Sequence, residues 1–456
     1  MNLCPLTGAF FIGLYLDDSL DVAKVFAYGE EVSSFPLPSQ PELLSPAGNL
    51  EKLKYALAYG ADAVYVGAKK FSLRARADEL TYQDFAEGLS WAHERGKVVY
   101  LAANMLAHDE DLLPFQEFMA ELAPLGFDGI IVADLGLLDW VRTHYPELPV
   151  HVSTQANTTN SWTARFYERL GVQRLVLARE LSLNAIRVLR DAVSLELEAF
   201  VHGAMCISYS GRCLLSNYFS NEHPKAGGVR DANRGDCSQV CRWEFALTEQ
   251  SRPEVSLPIE EDAYGTAILS SRDLNMARHV QQLLEAGVNS LKIEGRMKSA
   301  WYTASATRVY RHALDRAVTG QVPDEAVLAE LQSLSRREYT TGFYFQADRK
   351  TDADGQLRGQ PHRNSLQDRR LLGLVERMEA DEAVCRALNT LREGQQIVAM
   401  NPHRPDQRLT ADELWVDGER RAMVRIGERF TLRSRQLGRV LDNFGIFLEP
   451  SAQERQ

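Results

Sequence analysis

"ELLSPAGNLEKLKYALAYGADAVYVG", residues 42–67, holds a short apolar run, an amphipathic stretch and a second apolar run. Asn49 can cap a helix that begins at Leu50, while Leu50, Leu53 and Leu57 share one face and Gly60 ends it. The flanking runs are short and continuous rather than alternating, as in strands buried on both faces of a parallel sheet. The pattern recurs in "VVYLAAN", "GIIVADLG", "VHVSTQAN", "RLVLARE" and "LEAFVHG". The seven runs start at 42, 63, 98, 129, 150, 174 and 197, which suits repeated βα units. An eighth run, "SLKIEGR", follows after some 90 residues. Eight units predict a (β/α)8 TIM-like barrel of α/β class, with that gap as an insertion. The alternative, an open doubly wound sheet, lacks a G-x-G-x-x-G turn after its first strand.

The expected organisation is an extension or linker over 1–40, then the barrel over 41–345 with an insertion at about 204–289. A linker and a small β-rich domain over 346–456 complete it, because from about Leu371 short alternating segments such as "QQIVAM", "ELWVDG", "RAMVRIG" and "RFTLRS" replace the helical period. Within the insertion, "RWEFALTEQ" and "GTAILSSRDL" read as a strand hairpin and "MARHVQQLLEAG" as a helix.

The chain has 51 Lys and Arg against 62 Asp and Glu, a net charge of −11, which argues against indiscriminate nucleic-acid binding by counterion release. The longest apolar run, "AFFIGLYL", is too short to span a bilayer and lacks the basic flank of a secretory signal. A cytoplasmic protein without a membrane partner is expected. Reduced surroundings disfavour disulfides and leave metal or redox chemistry for clustered thiols.

Four of the six cysteines occur as C-x6-C-x23-C-x3-C: Cys206, Cys213, Cys237 and Cys241. Four thiolates suit a [4Fe–4S] cluster or a structural zinc, and neither pair has the C-x-x-C spacing of a zinc knuckle. Unrelated buried thiols are the alternative, and Cys4 and Cys385 stand apart from the group.

A barrel's chemistry sits where its strands end. Polar residues closing the runs are Ser45, Asn49, Asn104, Asp134, Gln155, Asn157, Arg179, Glu180 and His202, followed by Lys292, Glu294, Arg296 and Lys298 of "KIEGRMK". Gln155, Asn157, Glu180 and His202 are the candidates for acid–base work. Arg74, Arg179, Lys292, Glu294, Arg296 and Lys298 are candidates for holding substrate, since Lys and Arg bind carboxylate or phosphate. Asn49 and Asp134 can equally be helix caps, His202 a satisfied core histidine, and Arg74 and Arg76 a solvated loop. There is no H-E-x-x-H and no G-x-S-x-G. "KIEGRMKSAWYTASATRVYRH" and "RGQPHRNSLQDRR" are locally basic, and Trp301, Tyr302 and Tyr310 offer rings for stacking unpaired bases.

"EAFVHGAMCISYSGRCLLS", residues 198–216, resembles the signature of the collagenase-like peptidase family, number thirty-two among peptidases of unassigned mechanism. "VHVSTQAN", "LARELSL", "CSQVCRWEF" and "SLKIEGRMKS" carry the likeness across roughly 42–345. The resemblance implies RNA modification rather than proteolysis. Its tRNA-acting members are implicated in oxygen-independent 5-hydroxylation of the anticodon wobble uridine, with a requirement for prephenate and for the iron–sulfur assembly machinery. It also implies a [4Fe–4S] cluster on Cys206, Cys213, Cys237 and Cys241, and tRNA as the partner. The alternatives are peptidase activity and hydroxylation of ribosomal RNA or a ubiquinone precursor.

Overall fold

The computed structural model describes residues 40–451, except 69–70, 73–79, 207, 217–218, 220–229, 235, 239, 241–260, 263–264, 267–271, 335, 346–368, 380–381, 435–436 and 438–440. Seven parallel strands follow in chain order. They are β1 (Glu42–Pro46), β2 (Ala63–Gly67), β3 (Val98–Ala103), β4 (Gly129–Val132), β5 (Val150–Val152), β6 (Arg174–Val176) and β7 (Glu196–Ala204). An eighth, β8 (Ser290–Ile293), pairs in parallel with both β1 and β7, Ser290 standing opposite Glu42 on one side and Glu198 on the other. The sheet therefore closes into the expected barrel, with no unpaired edge among these strands.

The local signals act as the sequence implies. Asn49 accepts the Lys52 N–H at 2.9 Å to cap helix Leu50–Ala58. Thr81 and Asp84 form a reciprocal capping box on helix Tyr82–His93. Asp134 caps Leu135–His144 by accepting the N–H groups of Gly136 and Leu137, so for Asn49 and Asp134 capping is the role the structure supports. Helix Ala300–Val318 packs its apolar face on the barrel, burying Trp301, Tyr302 and Tyr310 to 3 % exposure or less. Those rings cannot stack on bases, which corrects the expectation from the basic segment. Side chains are aromatic there because the helix is core, and composition alone does not tell the two faces apart.

The insertion differs from the expected hairpin. Glu261–Asp262 pairs with Gly265–Thr266, "RWEFALTEQ" lies outside the described residues, and Asp273–Asn275 leaves the hairpin to run antiparallel to the end of β7. Tyr339–Thr340 adds a further strand beside it.

An antiparallel sheet over the C-terminal region begins at Leu371–Glu379 and includes Gln396–Met400, Glu413–Val416 and Arg429–Arg433. Barrel and sheet fall within one compact unit, Pro36–Gln456. Tyr55 and Tyr59 of the first barrel helix donate hydrogen bonds to the carbonyls of Val375 and Met400 at 3.2 Å each. Arg308 joins the long helix to Asp406 at 2.7 Å. Among the described residues no helix is long and apolar enough to cross a membrane.

Candidate functional site

Inside the barrel, below its mouth, lies a connected set of charges. Arg174 on β6 reaches Glu42 at 2.6 Å, Glu196 at 2.6 Å and Glu198 at 3.1 Å, and Lys292 on β8 meets Glu198 at 2.6 Å. Tyr100 and Ser290 donate to Glu42 at 2.7 and 2.6 Å. Glu198 is fully buried, and Arg174 and Lys292 almost so. Burial works to raise the Glu42 carboxyl, but the charge and hydrogen bonds of Arg174 hold it below its ordinary value.

Above this network is a cavity of about 130 Å³. Cys206, Cys213 and Cys237 line it, together with Arg179, Arg212, Lys292, Glu294, Arg296, Gln155, Asn104 and Tyr65. Two stretches of the insertion meet there because they are stitched together. Asn233 donates to the Cys213 carbonyl at 2.8 Å and accepts the Cys213 N–H at 3.3 Å. Ser216 and Ser238 share a hydroxyl contact of 2.8 Å, and Arg230 donates to the Cys237 carbonyl at 2.9 Å. Gly211 fixes the loop against the barrel: its φ is +71°, and a Cβ there would stand 2.1 Å from the Gln155 carbonyl oxygen. Although Cys206 is exposed, desolvation by the atoms around its sulfur pushes its thiol up. Cys213 and Cys237 push the same way, while the Ser208 N–H and Arg179 pull it down.

The expected substrate cations meet in part. Lys292 lies 4.4 Å from the centre of the Tyr65 ring, and Arg179 lies 4.0 Å from that of Phe200. Arg296 is buried where β2 ends, its guanidinium filling the space a side chain at Gly67 would take. Glu294 accepts from the Tyr65 hydroxyl at 3.4 Å. Lys298, by contrast, lines a separate groove with Asn49, Lys52 and Arg386, and its ammonium lies 5.1 Å from the Tyr302 ring centre. The turn after Gly295 carries it away from the cavity. Arg74 and Cys241 lie outside the described residues.

Of the four acid–base candidates, only Gln155 lines the cavity. Glu180 is turned to the cysteine loop, where it accepts the Ser210 N–H at 2.7 Å and the Ser210 hydroxyl at 2.9 Å. Asn157 ends the turn Thr154–Ala156 in the left-handed region, at φ +56°. His202 is displaced by a bulge: Lys292 pairs with Phe200 but Ile293 with His202, so one step along β8 spans two along β7. Phe200 keeps its place in the cavity and His202 swings outward, into a cage of Tyr302, Tyr310 and Tyr339 with ring centres 5.3 to 5.7 Å away. Burial lowers the imidazole to about 4, Asp273 opposing this shift and Lys298 adding to it, so at neutral pH the ring is uncharged. This core role corrects the expectation that His202 stands at the mouth.

Sequence reasoning missed Tyr65, Glu198, Arg212 and Asn233. Glu198 did leave a signal, a charged residue inside an apolar run, which in a barrel interior requires a buried cation.

The thiols can be tested as metal donors. Among the described residues no three of His, Cys, Asp and Glu meet closely enough to hold a single metal ion. In a [4Fe–4S] cluster each thiolate binds its own iron, so three sulfurs lining one cavity are compatible with that group.

Comparison with known proteins gives the setting. The family model described as Peptidase family U32 matches residues 48–354. The chain is 40 % identical over 344 residues to tRNA hydroxylation protein P of Escherichia coli (strain K12), covering 67 % of this chain and 74 % of the relative. It is 36 % identical over 385 residues to tRNA hydroxylation protein P1 of Bacillus subtilis (strain 168), covering 83 % and 88 %. Against the 23S rRNA 5-hydroxycytidine C2501 synthase of Escherichia coli it is 37 % identical over 277 residues, covering 61 % of this chain and 40 % of that protein.

Proposed function

The chain belongs to peptidase family U32, and from that membership we propose that it is an RNA-modifying hydroxylase acting on tRNA, at C5 of the anticodon wobble uridine. The observation that carries the reading is the convergence of three cysteines from two stretches of one insertion on a barrel-mouth cavity rich in cations. Relatives named for tRNA and rRNA hydroxylation support the choice of RNA.

Replacing a ring C–H by C–OH is a two-electron oxidation, and we assign the oxidant's role to prephenate, a small dicarboxylate that carries a ring hydroxyl. Its C–O bond would break as the C5–O bond forms, and the C5 hydrogen with its electron pair would pass to the carbon skeleton left behind. Lys292, Arg179 and Arg296 would hold its carboxylates, the two arginines as planar forks and Lys292 as a point charge set by Glu198. Tyr65 and Phe200 give the cavity apolar walls against a ring. The target base must leave its stack to reach the mouth, as for other enzymes that modify a base. Cys206, Cys213 and Cys237, with Cys241 as the expected fourth, would hold a [4Fe–4S] cluster delivered by the iron–sulfur assembly machinery. When bound, such a cluster supplies one-electron transfer.

A peptidase is the rival reading. His202, the base it would call upon, faces away from the cavity, and no other histidine among the described residues lines it. The test is nucleoside mass spectrometry of tRNA from a deletion strain complemented with the wild type or with Cys237→Ala. Loss of 5-hydroxyuridine-derived nucleosides, restored by the wild type alone, is expected. Unchanged nucleosides in the deletion strain would sink the proposal.

A further inference from the structure

Helix Ser161–Arg169 leaves the barrel just after the turn Thr154–Ala156, whose Gln155 lines the cavity. Its inner face is set by Ala164 and Tyr167, both buried. Its outer face is unusual for a surface helix. Trp162 is 73 % exposed and Phe166 40 %, and between and beyond them stand the exposed Arg165 and Arg169. The spacing i, i+3, i+4, i+7 puts all four on one stripe about 10 Å long. A single exposed ring needs no explanation, but two large rings alternating with two guanidinium groups do.

The helix begins near the mouth, five residues after Ala156 of the turn that Gln155 shares. Gly211 of the cysteine loop packs on Gln155, and Arg212, which lines the cavity, lies close enough to Tyr167 for its charge to oppose the upward push of burial on that phenol. Tyr209 on the same loop lines the cavity and is 48 % exposed. The acidic residue of the helix, Glu168, is occupied, accepting the backbone N–H and hydroxyl of Ser194 at 2.7 and 2.8 Å.

We propose that this outer face, Trp162, Arg165, Phe166 and Arg169, is a stacking platform for the unpaired nucleotides flanking the target base, the aromatic rings taking bases and the arginines the phosphates. Positive charge interleaved with rings complements a single strand of RNA, which offers π-faces and phosphates in alternation. A stripe of about 10 Å is about three nucleotides at stacking distance. The proposal rests on the RNA reading above.

The test is fluorescence anisotropy with a labelled anticodon stem–loop, and with a duplex RNA of equal length as control. The full chain would be used as Trp162→Ala/Phe166→Ala and as Arg165→Gln/Arg169→Gln. A lost stack lowers affinity roughly 5- to 150-fold. The aromatic pair should therefore weaken stem–loop binding at least tenfold, leave duplex binding within twofold, and leave the thermal melt unchanged because both rings are exposed. The arginine pair should lower the slope of log affinity against log salt by about 1.4, two phosphates' worth for a single strand. Stem–loop affinity within twofold of wild type in the aromatic pair overturns the platform, even where wild type binds and modifies RNA. So does unchanged affinity with an altered oligomeric state, which would mark a protein interface instead. Failure of the wild type to bind any RNA is a different outcome and removes the RNA reading itself.

Discussion

Glu198→Gln is the substitution that probes the barrel interior most directly. The carboxylate is fully buried and divided between two cations, Arg174 at 3.1 Å and Lys292 at 2.6 Å. Arg174 has two further carboxylates at 2.6 Å, Glu42 and Glu196, and so keeps its compensation when Glu198 is neutralised. Among the described residues Lys292 has one ionic partner, Glu198, and otherwise the faces of Tyr65 and Phe200, 4.4 and 5.6 Å away. Leaving a buried charge without its partner costs about 3–5 kcal/mol, and a cation–π contact returns at most about 2. Even at full return the net loss is about 1–3 kcal/mol. The converse change, Lys292→Met, removes the charge that would be stranded and leaves Glu198 with Arg174, so it should cost less. Urea denaturation followed by circular dichroism measures both. Glu198→Gln within 1 kcal/mol of wild type, or Lys292→Met the more damaging of the two, would refute the assignment of Glu198 as the residue that holds Lys292 in the cavity.

Other changes read other parts of the molecule. His202 is held near 4, against 6.5 when unfolded, so between those values the unfolded chain binds the extra proton and stability falls as pH drops from 6.5 through 4. The loss approaches about 3 kcal/mol below pH 4, and His202→Phe should flatten that part of a stability–pH profile. Gly211→Ala forces a side chain onto the Gln155 carbonyl and should lift the cysteine loop, seen as faster labelling of Cys206 and Cys213 by a thiol reagent in the metal-free protein. Arg308→Ala removes ionic contacts to Glu330 and Asp406, both at 2.7 Å, and should cost about 1–3 kcal/mol. It should also hasten proteolysis between barrel and sheet, whereas an unchanged digestion pattern would mean that Tyr55 and Tyr59 suffice to hold them.

The barrel was readable because each strand announces itself locally: a run such as "AVYVG" is buried on both faces wherever it pairs, so its neighbours need not be known. The cap at Asn49 is local in the same sense. What could not be read depends on partners far away in the chain. The bulge that turns His202 outward exists only in the pairing of β7 with β8, some 90 residues later, and a period of two counted along β7 alone puts the imidazole in the cavity. Lys298 was misplaced because the turn after Gly295 is not visible as a change of direction in "EGRMK". Trp301 and Tyr310 were taken for exposed rings beside basic residues, whereas the truly exposed pair, Trp162 and Phe166, stands in a helix where aromatic residues are ordinarily read as the buried face.

The bulge in β7 suggests what the cage around His202 is for. Up to Phe200 the strand serves the cavity, and beyond the bulge its side chains serve the outer packing. Gly203, at φ +101° and with no room for a Cβ beside the Glu294 carbonyl, fixes the direction in which the chain leaves the barrel, and Cys206 follows three residues on. Just before that exit, His202 pairs with Asn275, and Tyr310 donates to the Val201 carbonyl at 2.6 Å. An uncharged imidazole among three tyrosines can be packed from every side without a counterion, which a charged residue at the same place could not. The cage thus anchors the strand end from behind, and the position of Cys206 relative to Lys292 depends on residues that never enter the cavity. Loosening the cage should therefore disturb the thiols before it disturbs the buried cations, because Lys292 is held independently by Glu198 deeper in the barrel.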